Sequence, residues 1–150
     1  MWKYFNRLLR LPIADKLLLL EALLALASAR LAMFLLPFRS IAAWMGTRGA
    51  QSPAAASPED LRIAQKVGWA VAALARRVPW DSRCLAQALA GSAMLRRRGL
   101  EGTVNFGARR DQSTPLAAHA WLRFGPAIIT GASGHESFQI FTSFARRRNP

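Results

Sequence analysis

The chain holds one cysteine, Cys84, in the stretch "PWDSRCLA" (79–86). Asp81 or Ser82 fits the cap of a helix running through Leu85, Ala88, Leu89, Ser92 and Leu95, so Cys84 falls in its first turn. A helix N-terminus lowers a thiol's pKa, and its unpaired N–H groups offer places for an oxyanion. The plainer alternative is a small buried hydrophobe. A base must come from one of two histidines. His119 lies in a strand predicted over 117–124, and His135 in the loop "GASGHES". Strand alternation puts His119 and Trp121 on one face. A histidine on a strand opposite a helix N-terminus bearing a cysteine is the geometry of Cys–His nucleophilic catalysis. Trp80 and Trp121 adjoin these residues, either as core packing or as lining of a substrate groove. One Cys and two separated His have no metal-ligand spacing, so no metal or cofactor is expected.

The elements that must position these groups are readable. Ser57 caps a helix over 57–78, Pro58 takes its first position, and Glu59 and Asp60 load its first turn. Leu61, Ala64, Val67, Gly68, Val71, Leu74 and Val78 form its apolar stripe. Pro79 interrupts that helix. The Cys84 helix ends in "RRRG", where Arg suits the dipole and Gly99 closes the turn. Four short β-branched and aromatic runs follow, at 103–109, 117–124, 127–132 and 138–144, with "FGPA" as a tight hairpin connection. Helices followed by antiparallel strands predict an α+β fold. Residues 1–46 read as a helical N-terminal extension, with Pro12 starting one helix and Pro37 breaking it; 47–56 reads as a linker, and 57–150 as the compact domain.

At 150 residues the chain is long enough for a sizeable core. One cysteine excludes an internal disulfide and fits a reducing cytoplasm. The net charge of +13, from 21 Lys and Arg against 8 Asp and Glu, favours acidic partners. No aromatic-interleaved or groove-reading motif points to nucleic acid. The segment 17–38 has the length of a membrane span, yet Glu21 and Arg30 interrupt it. It starts too late for a signal peptide. It reads as a buried or membrane-apposed helix, with peripheral lipid contact through 1–46 by Trp2, Phe5 and the basic residues.

Taken together, "CLAQALAGSAMLRRRGLEGTVNFGARRD" and "LAAHAWLRF" resemble the transglutaminase-like cysteine peptidases of lasso-peptide biosynthesis, the B-protein or microcin-processing leader peptidases. The shared elements are Cys–Leu opening a helix, the "LRRRG" end, a "V-x-F-G" strand and "AHAW". The resemblance covers about 57–145, and the helical N-terminal part resembles the extension of stand-alone members. It implies a papain/transglutaminase-like core. It implies a hydrolase that removes the leader from a ribosomally made bacterial precursor peptide, with Cys84 as nucleophile and His119 as base. It also implies two partners: a PqqD-like leader-recognition protein, supplied in trans, and an ATP-dependent macrolactam cyclase.

The chain departs from that pattern at the third member of the triad. Members with a full triad carry an acid on the strand after the histidine; here Thr130 and Gly131 stand in that region. Asp111 and Glu136 are the nearby acids. Glu136, Thr130 or a backbone carbonyl is left to orient His119, with Glu136 the candidate third member. The alternative to an active peptidase is a catalytically impaired scaffold or binding module in a peptide-maturation complex.

Overall fold

Local sequence chemistry sets most element ends. A computed structural model describes residues 2–81, 83–110, 112–113 and 116–147. Their elements are α1 (Trp2–Leu9), α2 (Ile13–Leu35), α3 (Phe38–Met45), β1 (Thr47–Arg48), α4 (Pro58–Ala75), α5 (Cys84–Arg96), β2 (Thr103–Arg109), β3 (Ala117–Phe124), β4 (Ala127–Thr130) and β5 (Gln139–Ala145). A short 3-10 turn, His135–Ser137, precedes β5. The α+β architecture is the expected one.

Pro12 and Pro37 stand immediately before α2 and α3, where a missing N–H costs nothing. Ser57 caps α4, its hydroxyl accepting from the Asp60 amide at 3.1 Å. α4 ends at Ala75, so Val78 lies beyond the helix it was expected to extend. Gly99 follows α5, and the Leu100 amide bonds back to the Leu95 carbonyl at 3.0 Å.

All strand pairs are antiparallel, in the order β1-β5-β2-β3-β4. β2 and β3 pair along their whole lengths, with Gly107 opposite His119. Val104, Phe106, Leu122 and Phe144 take one face. There Phe106 meets Phe144 edge-on, and the fully buried Leu122 lies under α5. α4 closes on β4 at Gly68, where any Cβ would collide with the Ile129 carbonyl.

Residues 1–46 are more than an appendage. Leu19, Ala22, Leu26 and Ala29 of α2, and Ile41 and Met45 of α3, belong to the same buried cluster as α4, α5 and the sheet. Segment 47–56, expected as a linker, opens with β1, paired to β5. It then crosses the outer face of the sheet. The buried Ser52 bonds the Thr103 hydroxyl through both its amide and its own hydroxyl, each at 2.8 Å. Arg123 reaches the Ser52 carbonyl at 2.9 Å and the Gln51 side chain at 3.0 Å. Burial holds this guanidinium's pKa below its ordinary value.

Candidate active site

Cys84 is the first residue of α5, within its first turn as expected. The N-cap is Arg83, with no side chain bonded to the helix start. Asp81, expected as a cap, instead pairs with Arg83 at 3.1 Å on the exposed surface; Ser82 lies outside the described residues. The amides of the first turn are therefore uncapped by any described side chain, beside a half-buried thiol.

α5 packs directly on β3 and β4. Its glycine at 91 sits over Leu122 and Thr130, and Leu95, one turn on, approaches Gly102 at the start of β2. Traced backwards, α5 passes from the start of β2 toward Thr130 at the end of β4, and Cys84 opens the helix seven residues before Gly91. Gly131 follows β4.

His119 is half-buried on β3. Its Nε2 lies 2.8 Å from the Gly131 carbonyl oxygen. A carbonyl only accepts, so Nε2 donates. In the neutral ring this leaves Nδ1 as the unprotonated nitrogen. The backbone at Gly131 takes φ +74°, and a Cβ there would stand 2.7 Å from the Ala120 carbonyl and 2.9 Å from the Trp121 Cβ. No side chain fits at the position, an acidic one included. The carbonyl that holds His119 is offered by a backbone conformation that suits glycine.

Aromatic rings fix the imidazole further. Trp121 stacks on it with centroids 5.6 Å apart and planes 28° apart; Phe138 stands 5.1 Å away, tilted by 37°. Trp121 is only 3% exposed, so it backs His119 rather than lining an open groove. Trp80 is half-buried ahead of Cys84, and its indole N–H is buried without a partner among the described residues. Arg109 lies over the Phe138 ring at 4.7 Å and donates to the Ser137 hydroxyl at 2.9 Å, clamping the turn before β5.

The other candidates for the third position stand elsewhere. Glu136 is largely exposed, with its carboxylate 3.5 Å from His135 Nδ1, which itself donates to the Ala132 carbonyl at 2.6 Å. Thr130 is buried, and its hydroxyl has no partner among the described residues. Asp111 lies outside the described residues. Sequence reasoning missed Phe138, read as the first residue of a strand, and Arg109. The one signal for Phe138 was an aromatic residue directly after the Gly/Ser loop. No cluster of three or more His, Cys, Asp or Glu among the described residues has metal-binding geometry.

The chain shows no significant match to a curated protein or to a solved structure. A family model does match, over residues 25–143, and its start inside α2 agrees with the helix's place in the core. That family includes cysteine peptidases, and its members generally use cysteine-based catalysis. With a cysteine opening a core helix and a histidine on the adjoining sheet, this chain belongs to the transglutaminase-like superfamily.

Proposed function

We propose that this protein is a cysteine peptidase that removes the leader from a lasso-type precursor peptide. The observation that carries the reading is the bond between His119 Nε2 and the Gly131 carbonyl, which leaves Nδ1 as a base. In this reading Nδ1 takes the Cys84 thiol proton, and the thiolate attacks the scissile carbonyl carbon. First-turn amides of α5 hold the oxyanion. The imidazolium returns its proton to the departing amine as the C–N bond breaks. A water, deprotonated by His119, then cleaves the thioester and frees the leader as a carboxylate. The Gly131 carbonyl dipole orients the ring in place of a carboxylate, and Glu136 is left on the surface. A PqqD-like recognition protein would deliver the leader, and an ATP-dependent macrolactam cyclase would take the product.

A scaffold role is the second reading. It is favoured by the carbonyl itself, since a dipole stabilises imidazolium less than a full negative charge does. One experiment separates the two. The protein is incubated with its precursor and recognition partner, and leader release is followed by mass spectrometry. Peptidase action predicts cleavage by the wild type and none by Cys84→Ala. Cleavage that persists in Cys84→Ala removes the nucleophile. No cleavage by the wild type favours the scaffold.

A further inference from the structure

α2 carries two apolar faces, and the core uses one. Leu19, Ala22, Leu26 and Ala29 are buried. On the opposite side Ile13, Leu17, Leu20, Leu24, Leu31 and Phe34 repeat at spacings of four and three, with Ala27 completing the series. All are exposed, Phe34 by 80%. This is a continuous apolar stripe about 30 Å long by the helix rise. α1 adds further apolar surface, with no buried residue and with Trp2, Phe5 and Leu9 open to solvent.

Charge identifies what covers the stripe. Residues 1–46 hold two acids, and both turn inward: Asp15 to Lys66 at 2.5 Å, Glu21 to Arg98 at 2.7 Å. The exposed charges of residues 1–46 are therefore cationic: Lys3, Arg7, Arg10, Arg30 and Arg39; the exposed Glu59 of α4, near Leu17, stands among Arg62 and Lys66. A second copy of the chain would bring like charges together. An anionic lipid surface supplies both the opposite charge and the apolar layer beneath it.

α2 is long and apolar enough, by length and composition, to span a bilayer. Its inner face, however, is locked into the core, and its acids are paired to α4 and to the end of α5. We infer that the protein docks on anionic membranes in the plane of the surface, burying the outer stripe of α2 and the apolar face of α1 among the lipid headgroups, without crossing the bilayer.

The test is flotation of the full-length protein with vesicles of phosphatidylglycerol and phosphatidylcholine, against vesicles of phosphatidylcholine alone. The wild type should float with the anionic vesicles, about tenfold more strongly than with the neutral ones, and high salt should release it. Leu17→Glu with Leu24→Glu should lower binding by about tenfold or more, with an unchanged thermal melt because both side chains lie outside the core. Binding that the double variant retains would overturn the proposal, as would equal binding to neutral vesicles or resistance to salt. Failure to float, with a concentration-dependent dimer by light scattering that the double variant abolishes, would assign the stripe to self-association. None of these readouts depends on peptidase activity.

Discussion

His119 is held through a main-chain oxygen, which makes Gly131 the residue on which its orientation turns. Gly131→Ala adds a Cβ 2.7 Å from the Ala120 carbonyl, in a left-handed conformation that alanine resists. The expected cost is about 1–3 kcal/mol, seen as a lower melting temperature. The same substitution should shift the balance of the two His119 tautomers in nitrogen NMR spectra, where the wild-type ring is expected to be protonated at Nε2. A melt and a spectrum both unchanged would show that the bond does not position the ring. At this scale the sequence carried residue types well and their partners poorly. Cys84 and His119 stood out because each type is scarce. Three groups were open as the orienter of His119, and the carbonyl among them has no letter of its own. It depends on a φ of +74°, for which a glycine in a loop is weak notice.

At the scale of elements, α2 is fastened to the end of α5 by Glu21, whose carboxylate accepts from Arg98 at 2.7 and 2.9 Å. That bond holds the Glu21 pKa below the ordinary carboxylate range and the Arg98 pKa above its own. A carboxyl depressed on folding contributes stability that is complete above its unfolded pKa and is lost as pH falls through the lower, folded value. Acid unfolding should therefore steepen below the usual carboxylate range in the wild type. Glu21→Gln should flatten this limb and cost about 1–3 kcal/mol at neutral pH, by chemical denaturation at several pH values. Equal pH slopes for both proteins would exclude the pair as the clasp. Helix limits were legible because proline, serine and glycine act locally at their ends. The strands were legible from β-branched and aromatic runs. β1 was not: two residues, Thr47 and Arg48, carry no periodicity, and pairing with β5 alone makes them a strand.

For the whole molecule, the division into extension, linker and domain reads composition where packing decides. Leu26 is fully buried in the cluster that α4, α5 and the sheet share. Leu26→Ala should cost about 2–5 kcal/mol, as a core leucine does, measured by thermal or denaturant unfolding. A loss below about 0.5 kcal/mol would show that α2 is a detachable arm. A two-faced helix misleads the reader of a sequence because both stripes look like core, and only the folded chain shows which one faces its neighbours.

The place of β5 carries a consequence for how the molecule assembles. β5 is the last strand along the chain, yet it lies between β1 and β2 and bonds to both. Until residues 139–145 arrive, β2 presents an open edge and β1 has nothing to pair with. The contacts that close the sheet span nearly a hundred residues, as in Thr47 opposite Ala145, and closing so long a loop is slow. Folding is therefore gated by β5. A chain cut short before Gln139 is left with an unsatisfied β2 edge, the kind of surface on which aggregation begins.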